Sequence, residues 1–167
     1  NPQPVIQREA VTPSTASEPL VLLFHTHTTE SYLPESGKER SNPDKEELGD
    51  IVKVGHHLQQ VLEQTYGISS IHCTKIHDSY PFRESYLRSQ ETVKEYLAKY
   101  PSIKVVLDIH RDATPGIDAT CVLAGESVAK ILLVVGTDRM GLNHPNWKNN
   151  HEFAKELSQS MNQYYAG

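Results

Sequence analysis

Apolar residues in this chain follow two rhythms, short unbroken runs and a repeat of three to four, and the two alternate. Leu20 to Phe24 is the first unbroken run and predicts a buried strand. Leu48, Ile51, Val52, Gly55, Leu58 and Leu62 then recur at helical spacing. Asp44 with Glu47 three residues later resembles a capping box, and Gly67 stands where a C-terminal cap belongs. Ile68 to Cys73 reads as a second strand. A loop through His77, Asp78 and Pro81 leads to a helix from about Phe82, with Tyr86, Val93, Tyr96 and Leu97 on its inner face and Pro101 ending it. Ile103 to Ile109 is a third strand, and Ala119 to Ala124 and Lys130 to Val135 are two shorter ones flanking Gly125 and Glu126. Asn149 with Glu152 caps a last helix carrying Phe153, Leu157 and Met161 at four-residue intervals.

Ahead of these elements, residues 1–19 hold Pro2, Pro4, Pro13 and Pro19 with Ser14, Thr15 and Ser17 and no hydrophobic period, which predicts a flexible linker. The order β, α, β, α, β, β, β, α predicts an α/β fold. One domain over 20–167 would hold a largely parallel twisted sheet with helices on both faces and right-handed crossovers. The first and third strands then end on one edge. In open α/β sheets that carboxyl edge is where ligands bind.

Composition narrows the class. With 167 residues, 37% hydrophobic and 22% charged, the chain is long enough for one well-buried core. No apolar run approaches the roughly 20 residues of a membrane span. The sequence begins without methionine or signal peptide, so it is expected to be an excised piece whose targeting segment lies elsewhere. A net charge of -5 with dispersed Lys and Arg gives nucleic acid no electrostatic footprint. Cys73 and Cys121 lie in apolar strand-like stretches and read as buried thiols.

The candidate chemistry sits at two strand ends. Leu20–Phe24 runs into His25-Thr26-His27-Thr28-Thr29-Glu30, and Val105-Val106-Leu107 runs into Asp108-Ile109-His110-Arg111-Asp112. Two histidines plus one carboxylate with an open fourth position is the usual layout of a catalytic zinc site. His25 and His27, two apart, would point to the same side in extended chain, so both could reach one ion, or one could support the other. Four ionisable groups among five residues after a core strand imply partners, because burying unpaired charge is expensive. Asp108 or Asp112 could orient an imidazole or pair with Arg111. Glu30, Glu46, Glu47 and Asp50 are the carboxylates near enough to complete the site. His72 and His77, with Asp78 and Tyr80 beyond, could help to hold a substrate. The lone Trp147, in His144-Pro145-Asn146-Trp147, could stack on a sugar or anchor its loop.

The motifs His25 to Tyr32, Asp108-Ile109-His110-Arg111-Asp112-Ala113 and His144-Pro145-Asn146-Trp147, in this order, resemble the stage II sporulation protein P family, over about Leu20 to the end. Val52-Lys53-Val54-Gly55 and Ile76-His77-Asp78 with Ser85-Tyr86 support the match. The resemblance implies an N-acetylmuramoyl-L-alanine amidase-like fold. It implies a Zn2+-dependent hydrolase cutting the amide between N-acetylmuramic acid and L-alanine in peptidoglycan during spore engulfment, with endopeptidase action on stem-peptide cross-links. It further implies that the full-length protein is anchored in the membrane by a segment absent here, lies extracytoplasmically between mother cell and forespore membranes, and partners stage II sporulation proteins D and M.

Carried over by resemblance, His27 is the first zinc histidine with His25 as its rival, and His110 is the second. Glu30 ranks first and Glu47 second as the carboxylate ligand. Glu30 and Arg111 are the catalytic candidates; Asp112, Asp78, Tyr80, His144 and Trp147 are the substrate-binding ones. The amidase-like pattern continues into a strand bearing a general-base glutamate, whereas this chain stops at Tyr165-Ala166-Gly167, so a C-terminal truncation and weak or absent turnover are expected unless Glu30, Glu126 or another carboxylate takes that role. Two rivals stand beside this reading. A binuclear amidohydrolase or phosphoesterase would usually need a barrel of about 250 residues. A cell-wall binding or docking module with weak or no catalysis needs only the cleft.

Overall fold

The structure, a computed structural model, describes residues 18–112, 119–138 and 143–165. They fall into two compact units, one within 1–113 and the other within 114–167. The expected linker at 1–19 lies almost entirely outside the described residues.

In the first unit, strand β1 (Val21–Phe24) is flanked by β2 (Ser70–His72) and β3 (Val105–Asp108), all parallel in the order β2-β1-β3. Every residue of β1 is buried, as a central parallel strand requires. Alternate side chains face opposite ways. Leu22 and Phe24 pack with Cys73 and Ile103, and partly buried Ile71, Val93, Tyr96 and Tyr100 close that core. Val93 and Tyr96 come from helix α3 (Ser85–Lys99). On the other face His25 and His72 meet Gly55 of helix α2 (Ile51–Gln60), where a Cβ would sit 2.5 Å from His72 Nε2 and 2.8 Å from His25 Nε2. Only glycine lets the helix come that close. Helices thus cover both faces of this sheet, as the alternation predicts.

Several expected boundaries move. Asp44 and Glu47 do not cap α2. Pro43–Lys45 instead forms a 3-10 turn capped by Asn42, whose side chain accepts from the Asp44 N–H at 2.9 Å, and Leu48 is exposed ahead of the helix. The chain between is used to brace the first loop: the Gly49 N–H donates to the Thr28 carbonyl. The far end follows expectation, because Gly67 has φ +64° and its N–H donates to the Glu63 carbonyl after a π-helical turn at Val61–Thr65. A 3-10 turn at Phe82–Glu84 leads into α3, whose fully buried positions are Ser85, Ser89 and Thr92, while Tyr86 and Leu97 are exposed. That face is polar because Thr26 and His77 lie opposite it and need hydroxyl partners. A single helical turn, α1 (Leu33–Ser36), completes the unit.

The second unit is a hairpin of β4 (Thr120–Leu123) and β5 (Glu126–Ala129) with helix α4 (Trp147–Tyr164). Ala124 and Gly125, at φ +52° and +88°, form the two-residue loop that a tight hairpin favours. That loop pairs Leu123 with Glu126, so the partner of β4 is 126–129, and the expected strand over Lys130–Val135 is not formed. The helix begins at Trp147, not at the Asn149 cap, with the Trp147 N–H donating to the His144 carbonyl at 3.0 Å. The architecture is therefore mixed α/β with a three-stranded parallel sheet and a separate antiparallel hairpin, instead of one largely parallel sheet through all strands. Cys73 is buried as expected and Cys121 is exposed, both as free thiols.

Candidate metal centre

Beyond Phe24 the chain does not stay extended. Residues 26–29 form a turn closed by the Glu30 N–H donating to the His27 carbonyl at 3.1 Å, and this separates the two histidines that an extended chain would point the same way. His25 is fully buried, its Nδ1–H donating to the Ile109 carbonyl at 2.9 Å. Its neutral ring therefore accepts at Nε2, and His72 Nε2–H donates to it at 2.8 Å. Both nitrogens of His25 are thus engaged inside the protein. His27 turns the other way, stacked on Phe82 at 4.5 Å and edge-on to Tyr86 at 5.4 Å and His110 at 5.3 Å.

His27, Glu30 and His110 converge: one ligand atom from each lies within 4.8 Å of the others, and no other such group occurs among the described residues. β1 delivers the first two through its turn and β3 the third, because Leu23 pairs with Leu107 and Phe24 with Asp108. His110 Nε2–H donates to Asp108 Oδ2 at 2.8 Å, leaving Nδ1 3.7 Å from Glu30 Oε2. Glu30 also accepts from the Arg111 backbone N–H at 2.8 Å and lies 3.7 Å from the Arg40 guanidinium. His27 Nδ1 is buried with no hydrogen-bond partner among the described residues.

A polar scaffold fixes this loop. Asp108 accepts from the Thr26 N–H and hydroxyl at 2.8 and 2.6 Å, and Asp78 accepts from the Thr29 hydroxyl at 2.6 Å and from Arg40 at 3.1 Å. His77 donates from Nδ1 to the His25 carbonyl at 2.7 Å and accepts at Nε2 from Thr92 at 3.0 Å. A Cβ on Gly49 would lie 2.0 Å from the Glu30 carbonyl oxygen, so helix α2's approach segment presses directly on the ligand loop.

The charges follow from these contacts. Burial works against the ionised forms of Glu30 and Asp108, but hydrogen bonds from His110, with backbone N–H groups of Arg111 and Thr26 respectively, outweigh it and hold both carboxyls below their usual range. The same pairs act on His110 against its own burial and push it up to about 9. Burial lowers His27, which favours the neutral imidazole a metal needs. Burial also raises the Tyr86 phenol, with the Asp108 and Glu30 charges adding to it.

The remaining sequence candidates lie elsewhere. Glu47, the second-ranked ligand, is not part of the group: it pairs with Lys38 at 3.2 Å and accepts from the Asn42 N–H on the exposed side of the loop. Arg111 contributes its backbone N–H to Glu30 while its guanidinium donates to the Glu39 carbonyl at 3.2 Å. Asp78 is buried in the scaffold, not open to a substrate, whereas Asp112 and Tyr80 are exposed. His144 and Trp147 belong to the second unit, and Glu126 is exposed in its hairpin. Tyr86, expected on the inner face of its helix, is exposed beside His27, and Phe82, which the sequence does not mark as part of the site, forms a wall against the same ring. Their four-residue spacing, one helical turn ahead of Ser85-Ser89, was the available signal.

The donor set fits zinc. Two imidazoles and one ionised carboxylate are zinc ligands, the buried Nδ1 of His27 is committed to no hydrogen bond among the described residues, and the Asp108–His110 pair is the outer hydrogen bond that ligating histidines usually make. The family model described as Stage II sporulation protein P matches residues 2–167. Stage II sporulation protein P of Bacillus subtilis (strain 168) is 30% identical over 168 residues, covering 96% of this chain and 40% of that protein's length. No solved structure matches the chain.

Proposed function

The chain belongs to the stage II sporulation protein P family, and from that premise we propose that it is a zinc-dependent peptidoglycan hydrolase that cuts the amide joining N-acetylmuramic acid to L-alanine. The observation that supports this most is the convergence of His27, Glu30 and His110 at the carboxyl edge of a parallel sheet. These three residues would hold the ion. When bound, zinc polarises a carbonyl and lowers the pKa of water toward about 7.

The chain's own groups prepare that site. Asp108 fixes the tautomer of His110 by holding its Nε2 proton, which directs Nδ1 toward Glu30. The Arg111 N–H and the Arg40 guanidinium restrain the Glu30 carboxylate. Phe82 fixes the plane of the His27 ring. Work at the engulfing septum outside the cytoplasm, cooperation with stage II sporulation proteins D and M, and cleavage of stem-peptide cross-links belong to the same proposal. No helix among the described residues is long and apolar enough to cross a membrane.

The test is digestion of purified peptidoglycan by zinc-loaded protein with mass spectrometry of the products. Soluble stem peptides with a free L-alanine N-terminus, lost on chelation, are expected. Sedimentation with the polymer and no release would replace hydrolysis with the docking-module reading.

A further inference from the structure

Tyr86 stands beside the cluster in a way that packing does not explain. It is the residue after fully buried Ser85, so it leaves the sheet-facing stripe of α3 and lies on its flank, one turn beyond Phe82. Its ring is edge-on to His27 at 5.4 Å and stacked with His110 at 6.5 Å, so a single side chain borders both imidazoles. Phe82 already covers the His27 ring at 4.5 Å. A phenyl group would complete that wall equally well. Yet Tyr86 is 63% exposed, its hydroxyl makes no hydrogen bond among the described residues, and its ring contacts with His27 and His110 place it on the cluster side.

A phenol at neutral pH is a donor as well as an acceptor. The nearby carboxylates are occupied by His110, Thr26, Arg40 and the Arg111 N–H, and among the described residues Tyr86 is the hydroxyl-bearing ring in contact with both imidazoles. Resting on the hydrolase reading, we propose that the Tyr86 hydroxyl is the side-chain hydrogen-bond donor to the oxygen of an amide held at His27, Glu30 and His110. Donors aimed at an oxygen that gains negative charge are among the strongest catalytic contributions, and loss of one typically costs about 10²- to 10³-fold in kcat. The interaction transfers no atom and needs no co-reactant.

Tyr86→Phe keeps the ring and removes the donor. Two measurements on zinc-loaded protein test it: release of L-alanyl-D-isoglutamine from muramyl dipeptide, and calorimetric binding of a phosphinate analogue of the same amide, each with zinc content determined. The expected result is a fall of about 100-fold in kcat with little change in KM, and phosphinate binding weakened about tenfold or more, at unchanged zinc content. An active wild type with an equally active Tyr86→Phe protein overturns the donor role and leaves hydrolysis standing. If neither protein releases product, the hydrolase reading fails, and phosphinate binding decides the donor role: tenfold weaker binding by the variant upholds it, equal binding ends it.

Discussion

Asp108 and His110 stand two residues apart at the end of β3, and the carboxylate Oδ2 lies 2.8 Å from the imidazole Nε2 while the same carboxylate receives both donors of Thr26. One aspartate thereby joins the ends of the first and third strands and sets the tautomer of a candidate metal ligand. Asp108→Ala is expected to weaken zinc affinity by about 10- to 100-fold, the usual effect of losing such a partner. Competition against a chromophoric chelator reads it. Unchanged affinity would remove Asp108 from the site.

Glu30 and Glu47 make opposite predictions. Glu30→Gln removes the carboxylate that lies with His27 and His110, so bound zinc should fall from about one ion per chain toward none. Glu47→Gln breaks only an exposed pair with Lys38 and should leave zinc content unchanged. Elemental analysis of the two purified variants decides between them.

His110 ties metal binding to pH. Its pKa near 9, set against its own burial by Asp108 and Glu30, means that the metal-free site carries a proton there at pH 7 that zinc must displace. Affinity should rise about tenfold per pH unit from pH 6 to 8, levelling only near 9, and binding should release a proton into the buffer. Calorimetry in buffers of different ionisation enthalpy counts that proton. A flat profile would contradict it.

The buried histidines make stability sensitive to acid as well. Burial, with the neighbouring His25 and His56, lowers His72 to about 4, and burial likewise lowers His25 and His77. Below about 6.5 the unfolded chain takes up protons that these three native histidines refuse, so their contribution to stability is full above that pH and falls as pH drops toward 4. Because His72 is partly exposed, solvent screening leaves its share at roughly 1 kcal/mol. Thermal melts between pH 7.5 and 5 should show a falling midpoint, with a shallower fall for His72→Gln.

Gly49→Ala tests the support of the loop. Its Cβ would meet the Glu30 carbonyl oxygen at 2.0 Å and the Thr29 carbonyl carbon at 2.5 Å, which are backbone atoms with no rotamer to yield. A loss of about 2–3 kcal/mol and weakened zinc binding are expected together. Denaturant titration alongside the chelator competition checks both.

What the residues alone determined was the set of short apolar runs and the acidic and histidine motifs ending two of them. Parallel pairing of β1 with β3 follows from alternation of strands and helices, and it brings positions 27 and 110 to one edge. The sequence also determined that Gly67 ends a helix, through a φ that other residues adopt at a cost. Tertiary structure decided the rest. Spacing two apart could not tell that His25 turns inward to Ile109 and His72 while His27 turns outward, because the turn at 26–29 is held by distant Asp78, Asp108 and Gly49. Nor could spacing choose Glu30 over Glu47, since both follow the motif and only the Asn42 cap and Lys38 draw Glu47 away. The polar inner face of α3 escaped the hydrophobic period for the same reason: Ser85, Ser89 and Thr92 are buried in a hydrogen-bonded stripe beside Thr26 and His77, partners that lie far off in the chain and adjacent only after folding.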